Sequence, residues 1–216
     1  MDRAQYEDRW RRVHRLGATA GGPLVPAWLA VVQALARPLA RRGVPPTGLT
    51  VAGLVLACLA AVVALVHARW ALLAGALVLA SGLADALDGA VALLRDRPSR
   101  WGAVLDAGAD RLSELAFAGV LWGLGADARW PAAAMAASWW LEYLRERASS
   151  TVSGAPVVVT VGEKPTRVVV VAMFALAADA VPHAAAAWAT AGAAVWLLAS
   201  VVGLVQLGLA WGRLDA

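Results

Sequence analysis

Six apolar segments, each close to the length of a membrane-crossing helix, follow one another along the chain and limit the folds open to it. We place them at residues 48–66, 70–94, 101–125, 131–150, 166–181 and 184–210. About 20 predominantly apolar residues are enough for an α-helix to cross the hydrocarbon core of a bilayer. Charged residues make up only 16% of the chain, against about 25% in soluble domains. The pattern predicts an all-α membrane protein with six transmembrane helices.

The region before these segments divides into two parts. Residues 1–22 are polar and charged, and we expect them to form a cytoplasmic arm. The stretch at 23–43 is interrupted by Pro23, Pro26 and Pro38, and its uninterrupted apolar part is too short to span a bilayer comfortably. Its apolar body and basic end are typical of an amphipathic helix that lies in the membrane interface. We therefore predict an N-terminal interfacial amphipathic helix at 23–46, followed by a six-helix domain at 47–212.

The distribution of lysine and arginine predicts the orientation of the chain. Sixteen of the nineteen such residues lie in the N-terminal region, after the second and fourth segments, or at the C-terminus. The opposite loops contain only Arg69 and Arg129. By the positive-inside rule both termini are cytoplasmic, which requires an even number of spans. Because the basic residues sort by membrane side, the net charge of +4 does not indicate a nucleic-acid partner, and we predict none.

Four aspartates lie within the second and third apolar segments: Asp85, Asp88, Asp106 and Asp110. These segments run in opposite directions across a short turn. At about 1.5 Å per residue, both pairs lie roughly 8–15 Å from that turn, at the same depth. A spacing of three or four residues places both carboxylates of a pair on one helix face. The spacing therefore predicts that the four carboxylates converge.

Converging carboxylates in an apolar environment would protonate or repel one another unless a cation lies between them. Ligands that are all oxygen favour a hard ion such as Mg²⁺ or Mn²⁺. Four carboxylates could hold two ions, as in two-metal phosphoryl-transfer sites. Gly89 and Gly102 would leave room for a ligand beside the backbone. A divalent-cation transporter is an alternative, since acids within the membrane also form ion paths.

The aspartates also belong to a longer motif. Its residues are Asp85, Asp88, Gly89, Ala92, Gly102, Asp106 and Asp110. This arrangement resembles the signature of the CDP-alcohol phosphotransferases, which is D-x-x-D-G-x-x-A-R, eight further residues, and G-x-x-x-D-x-x-x-D. Leu93 stands where the family has arginine. The resemblance implies a metal-dependent membrane enzyme with six spans after an interfacial helix, usually a homodimer.

The resemblance implies a role for each motif residue. Two divalent ions, Mg²⁺ or Mn²⁺, would be held by Asp85, Asp88, Asp106 and Asp110. The CDP group would be bound at Asp85, Asp88, Gly89, Ala92, Gly102 and Asp106. Asp110 would be the catalytic base that accepts the proton of the acceptor hydroxyl. That hydroxyl attacks the phosphoryl group attached to the lipid, and CMP leaves.

Basic residues after the fourth segment predict the acceptor site. The stretches 143–148 (YLRERA) and 163–167 (EKPTR) resemble the Y-x-K-A-R-A and E-R-P-E-R stretches of actinobacterial phosphatidylinositol phosphate synthases. The resemblance covers most of residues 23–181 and implies that the acceptor phosphate is bound by Arg145, Arg147, Lys164 and Arg167. Any one of these residues could instead be an ordinary member of a positive-inside loop. Glu142 stands where that subfamily tends to have a small polar residue, and at a spacing of three it could pair with Arg145.

These features together predict an enzyme of phospholipid biosynthesis. It would be a multi-pass protein of a bacterial-type cell membrane with a cytoplasmic active site. Its substrates would be CDP-diacylglycerol and a polyol phosphate, most simply inositol 1-phosphate, with release of CMP. Three alternatives stay open at this point. They are a phosphatidylglycerol phosphate synthase that uses glycerol 3-phosphate, a divalent-cation transporter, and an inactive membrane scaffold.

Overall fold

The structure, a computed structural model, describes residues 3–13, 24–95, 99–151 and 158–212. The regular structure of these residues is helical throughout and contains no strand, so the predicted all-α class is confirmed. The α-helices are α1 (Arg3–Val13), α2 (Leu24–Arg41), α3 (Pro46–Val66), α4 (Ala71–Arg95), α5 (Arg100–Gly123), α6 (Arg129–Thr151), α7 (Lys164–Ala180) and α8 (Ala185–Gly212). Short 3₁₀ helices, Ala68–Trp70 and Pro182–Ala184, connect α3 to α4 and α7 to α8.

Each of the six predicted apolar segments corresponds to one of the helices α3 to α8, with ends that differ by a few residues. Three described helical stretches are long and apolar enough to cross a membrane: Pro46–Val66, Ala68–Arg95 and Pro182–Gly212. Helices α5 and α6 carry more charged side chains, and α7 has only 17 residues. The structure therefore describes an integral membrane protein with three helices that qualify as spans by length and composition.

The region before α3 contains the two helices α1 and α2. Helix α1 lies in the predicted arm, and α2 lies in the predicted interfacial segment. Residues 14–23, which include the predicted end of the arm, lie outside the described residues. Of the predicted domain at 47–212, residues 96–98 and 152–157 also lie outside them.

The main core lies where α3 packs against α4 and α5, and where α7 packs between α4 and α8. Helix α6 packs against α8. Most of the buried side chains in this core are alanines, with a few large residues such as Phe117, Leu121 and Trp196. Small side chains allow helix backbones to approach one another closely, which is the usual way that helices pack in membranes.

One close approach brings the start of α7 toward α4. A Cβ atom on Gly82 of α4 would lie 2.7 Å from Cγ1 of Val168 on α7. Glycine therefore allows α7 to lie against α4 at this level. Lys164 lies one turn before Val168 on α7, and its ammonium group contacts Asp85 on α4.

A second buried cluster, which we call the N-terminal cluster, joins the first two helices to the end of α4. Its buried members are Tyr6, Leu29, Val32, Ala36, Ala90 and Val91. Leu93 packs against this cluster, so the position where the family has arginine is apolar and in contact with apolar neighbours. Arg95 strengthens the same junction, because its Nη1 donates to the carbonyl oxygens of Gly43 and Val44 at 2.9 and 3.0 Å.

The crossing of α5 and α3 leads to a first prediction. A Cβ atom on Gly123 would lie 2.7 Å from the backbone carbon of Ala64 and from the backbone nitrogen of Leu65. Backbone atoms cannot move aside as a flexible side chain does. We expect Gly123→Ala to destabilise the protein by about 1–3 kcal/mol, the usual cost of overpacking, and to lower the thermal unfolding midpoint in detergent.

Gly208→Ala on α8 is the matched control, since a Cβ atom there has no neighbour within 4 Å. Alanine is the better helix former, so this control should keep or slightly raise the midpoint. Equal midpoints for the two variants would contradict the close crossing of α5 and α3.

Candidate active site between α4, α5 and α7

Three of the predicted metal ligands converge on one point. Asp85 and Asp88 lie on α4 and Asp106 lies on α5, and one carboxylate oxygen from each lies within 4.8 Å of the others. Carboxylate oxygens at this spacing are the donors that Mg²⁺ and Mn²⁺ take in proteins. The residues present therefore fit a hard divalent cation. The convergence follows from the local sequence, since each aspartate lies on the same helix face as its partner three or four residues away.

Asp88 has a hydrogen-bond partner that the sequence did not reveal. The hydroxyl of Thr50, a buried residue of α3, is 2.6 Å from Oδ2 of Asp88 and 3.2 Å from the carbonyl oxygen of Pro46. The sequence signal for this contact is a threonine inside an apolar helix. The signal is weak, because a threonine hydroxyl commonly donates to a carbonyl oxygen of its own helix, as the contact with Pro46 illustrates. The contact with Asp88 fixes the orientation of its carboxylate from a third helix.

Asp110 joins the cluster through Lys164. The ammonium group of Lys164, the first residue of α7, donates to Oδ1 of Asp85 and to Oδ1 of Asp110. The sequence predicted that Lys164 binds the acceptor phosphate. The structure places its ammonium group between Asp85 and Asp110, where its positive charge offsets their negative charges. Lys164 therefore lies where the predicted metal ligands meet the predicted acceptor-phosphate residues.

Arg145 is held by two carboxylates. Its Nη1 and Nη2 donate to the two oxygens of Glu163 at 3.0 and 2.7 Å, a bidentate pair. Nη1 also lies 3.0 Å from Oε2 of Glu142, and Nη2 donates to Oγ1 of Thr160 at 2.9 Å. The pairing with Glu142, three residues earlier on α6, is the one that the sequence spacing predicted.

Arg167 is 1% exposed and is surrounded by acceptors. Its Nε and Nη2 donate to the carbonyl oxygen of Gly162 at 2.9 and 2.7 Å. Nη1 donates to Glu114, and Nη2 donates to Oε1 of Glu142 at 2.5 Å. Glu114 is 0% exposed and also lies 3.5 Å from Nη1 of Arg111. Charges this deeply buried require such pairing.

The remaining predicted residues are arranged around the aspartates or lie apart from them. A Cβ atom on Gly89 would meet nothing within 4 Å, so there is open space beside Asp88. The amide of Gly102 donates to Oγ of Ser99 at 2.8 Å, which caps α5 about two turns before Asp106. Arg147 is exposed on α6. The structure thus brings Arg145 and Arg167 onto one shared carboxylate, that of Glu142, and it leaves Arg147 on the surface.

Residues 44–208 match the sequence model of the CDP-alcohol phosphatidyltransferase family. The chain is 33% identical over 158 residues to the archaetidylinositol phosphate synthase of Methanothermobacter thermautotrophicus, covering 68% of this chain and 74% of that protein. It is 30% identical over 149 residues to the archaetidylinositol phosphate synthase of Pyrococcus horikoshii, covering 67% of this chain and 76% of that protein.

The fold is similar to solved structures of the phosphatidylinositol phosphate synthase of Mycobacterium tuberculosis. For the structure in complex with manganese and citrate, the TM-score is 0.63 at 28% identity, over 83% of this chain and 88% of that one. For the structure with CDP-DAG bound, the TM-score is 0.61 at 27% identity, over 82% and 94% of the two chains. By the family match, the identity to two relatives and the shared fold, the chain belongs to the CDP-alcohol phosphatidyltransferase family.

Proposed function

We propose that the protein transfers the phosphatidyl group of CDP-diacylglycerol to inositol 1-phosphate and releases CMP. The observation that carries this proposal is the headgroup named in the products of its relatives. The archaeal proteins are archaetidylinositol phosphate synthases and the mycobacterial protein is a phosphatidylinositol phosphate synthase, so the names differ in the lipid part and share the inositol phosphate part. A mycobacterial structure with CDP-DAG bound supports the donor.

The four aspartates are the proposed metal ligands. Asp85, Asp88 and Asp106 would hold one divalent ion between their converging oxygens, and Asp110 would complete a site for a second. Bound Mg²⁺ or Mn²⁺ supplies positive charge that neutralises the diphosphate of the donor. The manganese in a mycobacterial structure supports this choice of ions. Gly89, Ala92 and Gly102 would line the CDP group, and the open space at Gly89 supports that role.

The chain itself would provide the base and the acceptor pocket. Asp110 lies on α5 one turn after Asp106, so its carboxylate would receive the proton of the inositol hydroxyl as that oxygen attacks phosphorus. The acceptor phosphate would be bound by the guanidinium groups of Arg145, Arg147 and Arg167 and by the ammonium group of Lys164. Guanidinium groups bind phosphate through paired hydrogen bonds.

We further propose that all six helices from α3 to α8 cross the membrane as one domain at 47–212. Helices of 17 to 28 residues are about 25–42 Å long, which suits a hydrocarbon core of about 30 Å. The proposed interfacial helix at 23–46 and the cytoplasmic arm at 1–22 precede them. The excess of lysine and arginine on one side of the predicted spans supports a cytoplasmic active site and cytoplasmic termini in a bacterial-type membrane. The family resemblance supports a homodimer.

The relatives do not favour the other functions that the sequence left open. The similar proteins described above are synthases of archaetidylinositol phosphate and phosphatidylinositol phosphate, which does not favour glycerol 3-phosphate as the acceptor. Membership of an enzyme family likewise does not favour a cation transporter or an inactive scaffold.

An acceptor panel tests the proposal. Purified protein with CDP-diacylglycerol and Mn²⁺ is expected to release CMP with inositol 1-phosphate, and far more slowly with glycerol 3-phosphate or free inositol. EDTA should abolish release, and Mn²⁺ or Mg²⁺ should restore it. Faster release with glycerol 3-phosphate would reject the proposed acceptor. The absence of release with every polyol phosphate, from protein with an intact thermal transition, would reject the proposed reaction.

A further inference from the structure

One carboxylate bridges the two arginines that we assign to the acceptor pocket. Oε1 of Glu142 lies 2.5 Å from Nη2 of Arg167 and 3.2 Å from Nη1 of Arg145. Oε2 of the same side chain lies 3.0 Å from Nη1 of Arg145. The two guanidinium groups therefore already share an anion.

The charges around the two arginines cancel. Three carboxylates, on Glu114, Glu142 and Glu163, contact three guanidinium groups, on Arg111, Arg145 and Arg167. Among the described residues, the buried Nε of Arg145 has no hydrogen-bond partner. While all three carboxylates stay in place, a phosphate with nearly two negative charges that approaches Arg145 and Arg167 meets no excess positive charge from these six side chains.

Of the three carboxylates, Glu142 is the one that can leave. Glu114 is 0% exposed, and its departure would leave Arg167 without its most deeply buried partner. Glu163 is 30% exposed, but it forms a bidentate pair with Arg145, accepts the backbone amide of Thr160 at 2.9 Å and precedes the first residue of α7. Glu142 is 22% exposed, and the contacts given above for its carboxylate are with arginine side chains alone. Rotation of this one side chain toward solvent removes an acceptor from both guanidinium groups, while Arg145 stays paired with Glu163 and Arg167 stays paired with Glu114.

We propose that Glu142 occupies the position of the acceptor phosphate, is displaced when the acceptor binds, and thereby sets the affinity for phosphorylated acceptors. The inference rests on the proposed function, because it takes the acceptor to be a phosphorylated polyol. An anion that binds both guanidinium groups must first break three contacts of at most 3.2 Å. The competition lowers affinity for any phosphorylated acceptor and leaves the CDP-binding residues on α4 untouched.

Glu142→Gln tests the inference, because the amide keeps the size of the side chain and removes its charge. We expect the KM for inositol 1-phosphate to fall about tenfold, equivalent to about 1.4 kcal/mol, with the KM for CDP-diacylglycerol unchanged. Glu146→Gln is the matched control, since Glu146 is exposed on the same helix, one turn further on. It should change neither constant. An acceptor KM in Glu142→Gln that is equal to or above that of the wild type would overturn the inference.

A binding measurement separates this inference from the reaction itself. Calorimetric titration with inorganic phosphate, with no CDP-diacylglycerol present, should show tighter binding to Glu142→Gln and to Glu142→Ser than to the wild type. Tighter binding together with no CMP release from the wild type would support the displacement of Glu142 and reject the proposed reaction. Normal CMP release with phosphate binding unchanged in both variants would reject the displacement and keep the reaction. A purely structural role would change the thermal midpoint and both KM values together.

Discussion

Asp110→Asn is expected to lower the rate of CMP release by a factor of 10² to 10⁴, the usual contribution of a positioned general base. Asparagine has the volume of aspartate but cannot accept the proton of the attacking hydroxyl. Its side-chain oxygen can still accept the hydrogen bond of Lys164, so the thermal midpoint should change little. The measurement is the rate of CMP release at saturating CDP-diacylglycerol and inositol 1-phosphate.

Asp127→Asn is the matched control for this variant. Asp127 is exposed between α5 and α6, and its carboxylate pairs with Arg129 at 2.6 Å. It is distant in sequence from the four aspartates of the candidate site. Exposed ion pairs contribute little to stability, so rate and midpoint should both stay at the wild-type level. A rate for Asp110→Asn within twofold of the wild type would assign the proton to another group.

Arg167→Ala is expected to have the largest effect on folding. The substitution leaves the buried carboxylate of Glu114 without its main partner and frees the carbonyl oxygen of Gly162. Breaking a buried pair in this way costs about 3–5 kcal/mol, which is a large part of the stability of a typical domain. The thermal midpoint in detergent should fall far below that of Gly123→Ala.

Two further variants show whether the buried pair is the cause. Arg147→Ala removes an exposed arginine on α6 and should leave the midpoint almost unchanged. Arg167→Met combined with Glu114→Leu replaces both charges by apolar groups and should recover much of the lost stability, since such replacements are often neutral. If the double variant unfolds as easily as Arg167→Ala, the pairing with Glu114 is not the source of the loss.

The positions of the helices could be predicted from the sequence because they depend on local patterns. Apolar segments interrupted by proline, glycine and charged residues predict where a helix ends, and α7 was found this way despite its 17 residues. The convergence of Asp85 and Asp88 with Asp106 also follows from local rules, since helical spacing and a short turn determine the face and depth of each carboxylate.

The partners of the basic residues could not be predicted in the same way. The pair Glu142–Arg145 is local, with a spacing of three, whereas Arg167 reaches Glu114 on α5 and Glu142 on α6. Those contacts depend on how three helices pack against one another. A pattern of residues along the sequence does not specify that packing. For the same reason, the contacts of Lys164 with Asp85 and Asp110 could not be predicted from the sequence.

The hydrogen bond from Thr50 to Asp88 has a consequence for the entropy of ion binding. A free carboxylate samples several rotamers and must give up this freedom when it coordinates an ion. Thr50 already holds Oδ2, so the orientation of Asp88 is set by the folded helices before any cation arrives. Part of the entropic cost of ordering a metal site is thus met when α3 folds against α4, rather than in each binding event. The hydrogen bond of Thr50 occupies Oδ2 of Asp88 and leaves Oδ1 without this contact.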